Sequence, residues 1–148
     1  MSLFPLLMRL LPPGSDALGR QLALLRDPAR LWTPHGLRSL SARSSLYGAR
    51  NTEHDPPYGR GPLWVNINYL ALEALRWYAA AGGPHAGAAA AAHAALRGAV
   101  LGAVVGQYNS TGYLWEQYDD ASGGGKGCKP FTGWTALVTL VAADTAGS

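Results

Sequence analysis

Cysteine is nearly missing from this chain. Cys128 stands alone among 148 residues, so no disulfide can close within it and the sequence is silent on redox compartment. The four histidines, His35, His54, His85 and His93, fall at no metal-ligand spacing and have no cysteine cluster beside them. No metal and no other cofactor is therefore expected. Charge is sparse as well. Asp, Glu, Lys and Arg make up 14% of the chain against 48% hydrophobic residues, a balance that argues against disorder and for a buried core. The net charge of +3 is uneven, with eight Arg against four acids over residues 1–60. Those arginines are spaced singly rather than in blocks, which is a poor footprint for nucleic acid.

Long uninterrupted apolar runs are absent too. The best stretch, Ala88 to Val105, contains His93 and Arg97 and is mostly alanine, so no membrane-spanning segment is expected. The beginning, through Leu11, lacks a charged leading region and a small-x-small cleavage site, and Arg9 interrupts its apolar residues. It reads as an amphipathic helix rather than a signal peptide.

What is present is helical periodicity broken by glycine and proline. Leu3 to Leu11 has helical spacing, with Pro5 tolerable in a first turn, and Pro12-Pro13-Gly14 ends it. Ser15 is a good N-cap for a second helix running to about Leu25, which Asp27-Pro28 stops. Residues 28–62 are long, irregular and rich in Pro, Gly, Arg and Ser. Trp32, Leu37, Leu40, Leu46, Tyr47 and Tyr58 are too apolar for a linker, and a loop of that length inside a domain is often functional. A strong helix is predicted from about Leu63 to Ala81, with Ile67, Leu70, Ala71, Ala74, Leu75 and Tyr78 as its apolar stripe. An alanine-rich helix follows from about Ala86 to Tyr108, packing through Leu96, Val100, Val104 and Tyr108. Gly98, Gly102 and Gly106 suggest that a neighbouring helix approaches closely. Ser110-Thr111-Gly112 reads as a turn, residues 113–132 as a loop, and about Gly133 to Ala143 as a last helix. No period-two strand pattern stands out. The fold class is all-α, with the long loops gathered at one end.

The second loop carries the chemistry. In Leu114-Trp115-Glu116-Gln117-Tyr118-Asp119 a carboxylate sits between aromatic residues. Aromatic faces stack on pyranose rings, and carboxylates do the acid–base work on glycosidic bonds. The glycines at 123–125 and 127 permit backbone to fold tightly over a ligand or to act as a lid. A phosphate-binding loop is excluded, because position 120 is Asp rather than Gly and Gly127 stands where Ser or Thr is needed. Asn109-Ser110-Thr111 is an N-glycosylation sequon.

Together with Gly123-x-Gly125-Lys126-Gly127-Cys128 and Pro130-Phe131-Thr132-Gly133-Trp134-Thr135, that segment resembles the C-terminal signature of glycoside hydrolase family 63. The stretches Ser2–Leu11, Leu31–Tyr58 and Trp64–Leu75 resemble further pieces of the family in the same order. The resemblance implies that residues 1–148 are the C-terminal portion of a catalytic (α/α)6 barrel, without the N-terminal domain or the first barrel helices. It implies an inverting α-glucosidase that removes the terminal α-linked glucose of the N-glycan precursor in the endoplasmic-reticulum lumen. In the full-length form the family implies a membrane anchor. Glu116 matches the family's general base. The general acid, an upstream Asp, has no counterpart here, so the chain alone is expected to be inactive and, with apolar faces bared, sticky. Tyr58, Arg60, Trp64, Trp115, Tyr118, Phe131 and Trp134 are the implied substrate-side residues. Gly59 departs from the family, standing where a Trp is usual, so an aromatic platform is missing there. Two alternatives remain: a trehalase-like relative with the same barrel, and a non-catalytic helical module binding oligosaccharide or a partner protein.

Overall fold

The computed structural model describes residues 3–144; Ser2, the first residue of one matching stretch, lies outside them. Helix α1 spans Phe4–Leu7, α2 Asp16–Leu25, α3 Val65–Ala80, α4 Ala86–Thr111 and α5 Val138–Ala143, the last entered through a 3-10 turn at Trp134–Leu137. Two small antiparallel hairpins interrupt the loops. Trp32–Thr33 (β1) pairs with Gly36–Leu37 (β2), and Gln117–Tyr118 (β3) pairs with Gly125–Lys126 (β4). Neither was expected. Strands of two residues give no alternation to read, and each is held by its turn.

Ser15 caps α2 as expected, its Oγ accepting from the Leu18 N–H at 3.3 Å. Helix α1 is shorter than predicted. Arg9 takes a left-handed φ of 58°, which a right-handed helix cannot contain. The chain beyond it is tied back at Leu11, whose N–H and carbonyl both bond the Tyr78 hydroxyl at 3.2 Å. Helix α4 runs three residues further than predicted, to Thr111, and Gly112 (φ 74°) terminates it with its N–H on the Tyr108 carbonyl. That is the left-handed glycine end common to helices.

The core lies between α3 and α4, with α1, α2 and α5 closing its sides. Ala71, Ala74, Leu75 and Tyr78 of α3 are buried as predicted, whereas Leu70 faces outward and Asn68 and Leu72 take up the inner face. Leu96, Val100 and Val104 of α4 are buried, while Tyr108 is exposed. By length and composition α4 could cross a membrane, contrary to the expectation for this stretch. Its inner face nevertheless packs on α3 as a core helix does. The glycine row meets no neighbour: a Cβ built on Gly98, Gly102 or Gly106 would find nothing within 4 Å among the described residues.

The loops collect at one end. Leu63 and Tyr118 exchange two backbone hydrogen bonds, of 2.8 and 3.0 Å, joining the first long loop to the second. Asp120 accepts from Arg38 Nε at 2.7 Å and from the Tyr47 hydroxyl, clamping the same two loops. Asn68, 1% exposed, acts as an internal strut. Its Oδ1 accepts from the Leu37 N–H at 2.7 Å, and its Nδ2 donates to the Leu37 and Trp64 carbonyls at 3.2 and 2.8 Å. Gly36 (φ 141°) lies against it, where a Cβ would come within 2.9 Å of Oδ1. Asn68→Ala would leave buried donors and acceptors unpaired, so we expect a loss of about 2–4 kcal/mol of stability. The shift of the urea unfolding midpoint measures it.

Candidate active site

Glu116 immediately precedes β3, and the hairpin wraps its backbone. The Glu116 N–H donates to the Cys128 carbonyl at 3.0 Å, and its carbonyl accepts from Trp134 Nε1 at 2.8 Å. Each carboxylate oxygen has its own donor. Oε1 accepts from the Tyr58 hydroxyl at 2.7 Å and Oε2 from the Cys128 N–H at 3.1 Å. The Tyr58 bond, then the Cys128 N–H, lowers the Glu116 pKa. The same bond pushes the Tyr58 phenol up to about 12. Glu116 is thus an anion with neutral donors at both oxygens, and it stays partly open to solvent.

Gly127 makes this geometry possible. It sits at φ 75°, and a Cβ there would lie 2.5 Å from Glu116 Oε2, closer than any real contact. Gly125 plays the same part for Trp115, whose ring a Cβ would meet at 2.3 Å. The glycine run therefore folds backbone tightly over the site's own side chains.

Aromatic rings form a wall beside the carboxylate. Tyr58 meets Trp64 edge-on at 4.8 Å, Trp64 stacks on Trp134 at 5.0 Å, and Phe131 tilts against Trp134 at 4.8 Å. These offset and edge contacts are the favoured ring geometries. The Trp64 Nε1 is buried and has no hydrogen-bond partner among the described residues. A groove of about 500 Å3 lies elsewhere, lined by residues such as Leu7, Leu24, Arg30 and Arg43, and Glu116 does not border it.

The structure thus brings Tyr58, Trp64, Phe131 and Trp134 together around Glu116. The other expected residues serve differently. Tyr118 is 1% exposed, and its hydroxyl accepts from the Trp115 N–H. It is a core strut rather than a substrate contact, because its ring is packed within the main apolar cluster. Trp115 lies under Lys129, whose Nζ is 4.5 Å from the ring centroid, and its Nε1 donates to Thr111 Oγ1 at 3.3 Å. Arg60 donates to the Arg50 carbonyl at 2.9 Å, bracing the first loop. Gly59 has φ 69° and open space around it.

Sequence reasoning missed three supports. It did not pair Tyr58 with Glu116, since 58 positions separate them. It did not find the Cys128 N–H, because backbone donors leave no signature in residue identity. It also left Asp119 unassigned. Lys126 and the turn at Ser122 hold that carboxylate well below its usual range, so it belongs to the hairpin. The Gly-x-Gly-Lys-Gly-Cys spacing was the available signal for that turn.

Known proteins resemble this chain in sequence and in fold. The Glycosyl hydrolase family 63 C-terminal domain matches residues 1–144, and the chain belongs to that family. A mannosyl-oligosaccharide glucosidase of Arabidopsis thaliana is 45% identical over 97% of this chain and 17% of its own length. The Saccharomyces cerevisiae mannosyl-oligosaccharide glucosidase is 35% identical over 95% of this chain and 17% of its own length. This chain therefore spans about a sixth of the curated relatives it matches. A mannosylglycerate hydrolase of the same family from Thermus thermophilus, solved in complex with glucose, superimposes with TM-score 0.59. The match covers 95% of this chain and 30% of that one, at 24% identity, a likeness of fold alone.

Two substitutions test the carboxylate's environment. Tyr58→Phe removes the main cause of the lowered pKa, so Glu116 should titrate closer to an ordinary glutamate in a carboxyl-resolved NMR titration. An unmoved midpoint would contradict the assignment. The sign follows from linkage: a depressed folded pKa favours the folded state above the unfolded value, and the benefit is lost as pH falls through the folded one. Gly127→Ala should displace the carboxylate from the Cys128 N–H and move the midpoint in the same direction, with added strain at φ 75°.

Proposed function

We propose that this chain is the base-bearing part of an inverting α-glucosidase that removes the terminal α-1,2-linked glucose from the N-glycan precursor. The observation that carries this reading is Glu116: an ionised, partly exposed carboxylate at the edge of an aromatic wall, in a chain of family 63. Its relatives' names supply the substrate class. On this reading the helices described here are the last part of an (α/α)6 barrel. The rest of that barrel, any N-terminal domain and any membrane anchor lie outside the 148 residues, and the site works in the endoplasmic-reticulum lumen.

The chemistry follows from what a carboxylate held by neutral donors can do. Glu116 takes a proton from a water as that water's oxygen bonds to the anomeric carbon. The glycosidic C–O bond breaks on the opposite face, and a carboxylic acid gives the departing oxygen its proton. Glucose leaves as the β-anomer. The two carboxyl groups must stand roughly 6.5–9.5 Å apart to admit the water. Asp119 and Asp120 are spent on Lys126 and on Arg38 with Tyr47, which supports an acid contributed from outside this chain. Tyr58, Trp64, Phe131 and Trp134 offer ring faces and edges to the glucose, and Gly59 leaves one side of that wall unpanelled. Arg60 keeps the loop that carries Tyr58 in place.

In a full-length enzyme, Glu116→Gln should lower kcat by about 10²–10⁴-fold with the fold intact. The wild type should release β-glucose first, as resolved by NMR of the anomeric proton. The isolated 148-residue chain should release no glucose from glucosylated glycan. Turnover by that chain, or release of α-glucose by the full enzyme, would overturn the reading.

A further inference from the structure

Helix α4 ends in the sequon Asn109-Ser110-Thr111, and its last turn sorts the two residues that a glycan transferase must read. Gln107 and Thr111 stand four apart and share one face. Gln107 Oε1 accepts from the Gly125 N–H at 3.1 Å, and Thr111 Oγ1 accepts from Trp115 Nε1 at 3.3 Å. That face therefore carries the hairpin on which Glu116 is mounted. Asn109 lies two residues from each, turned about 200° around the helix axis, and is exposed. It points away from the catalytic hairpin, on the same side as Gly98 and Gly102, where a Cβ would meet nothing within 4 Å.

We infer that Asn109 carries an N-linked glycan, attached before α4 closes. The inference rests on the lumenal placement proposed above. The bond formed joins Asn109 Nδ2 to the reducing-end sugar carbon of a lipid-diphosphate oligosaccharide. The sugar–oxygen bond to the diphosphate breaks, the lipid diphosphate leaves, and the amide gives up one proton. The folded helix forbids this step. Thr111 Oγ1 is engaged with the Gln107 carbonyl at 2.7 Å and with Trp115, and the helix holds it on the far side from Asn109. Transfer belongs to the unfolded chain. Once the chain folds, the sugar stands clear of the aromatic wall, so the enzyme bears the class of glycan on which it acts without blocking its own cleft.

The test uses the full-length protein made in a eukaryotic secretory pathway. Trypsin releases residues 98–126 as one peptide holding this sequon alone. Enzymatic deglycosylation in heavy-oxygen water should convert Asn109 to labelled Asp in most of that peptide. Asn109→Gln should abolish the label and leave glucosidase activity unchanged. A companion variant, Glu53→Thr, creates a sequon at Asn51 in the exposed first loop and reports lumenal entry independently. Label at Asn51 with Asn109 bare overturns the inference while the lumenal reading stands. Both bare overturns the two together. Full-length protein folded in a host without the transferase should then resist modification by transferase and lipid donor, whereas the free 98–126 peptide should accept it. Equal modification of both would refute the order of events.

Discussion

Two backbone hydrogen bonds between Leu63 and Tyr118 hold the functional end of this molecule together. Leu63 immediately precedes Trp64, the residue at the head of α3, and Tyr118 lies two residues after Glu116. That short bridge therefore fixes the aromatic wall against the carboxylate. Neither loop has regular structure of its own beyond a two-residue-stranded hairpin. Their positions follow from this bridge, from the Arg38–Asp120–Tyr47 clamp and from Asn68 beneath. The first two tie one loop to the other, and Asn68 ties them to α3, whose packing is apolar and secure. The polar groups involved are buried or half-buried, where leaving one unpaired costs more than the bond gains. The arrangement is thus specified as well as stabilised.

Partners divide the labour among three carboxylates lying within five residues. Asp119 is neutralised by Lys126 and ringed by the Ser122 turn. Asp120 is consumed by Arg38 and Tyr47. Glu116 alone is met by neutral donors, a phenol and a peptide N–H. A cation in contact would have made it a much poorer proton acceptor. Neutral donors favour its ionised form without placing a full positive charge against it.

Much of this was legible beforehand, and the limits are physical. Helices α2, α3 and α4 announced themselves through Ser15, through the stripe ending at Tyr78 and through alanine propensity. Glu116 and its aromatic neighbours were marked by composition and by resemblance. Leu70 and Asn68 exchanged roles because helical spacing alone does not say which of two adjoining faces meets the core, and a buried asparagine is recognisable only with its partners in view. Tyr118 looked like a sugar contact because an aromatic residue close to a carboxylate in sequence reveals its burial only once the core has formed around it. The hairpins escaped because strands of two residues show no alternation. The glycine row of α4 suggested a close neighbour, yet small residues also suit an uncrowded surface, and that is where these lie.

The stacked pair Trp64–Trp134 has a spectroscopic consequence. Of the chain's five indoles, these two lie 5.0 Å apart with planes 23° from parallel, close enough for their transitions to couple. Such a pair gives a split circular-dichroism band that neither ring gives alone. The band depends on their mutual angle, which is set where the two loops meet. The molecule thus carries an optical gauge where its two loops meet, one that reads the geometry of the aromatic wall separately from the helical signal of the scaffold.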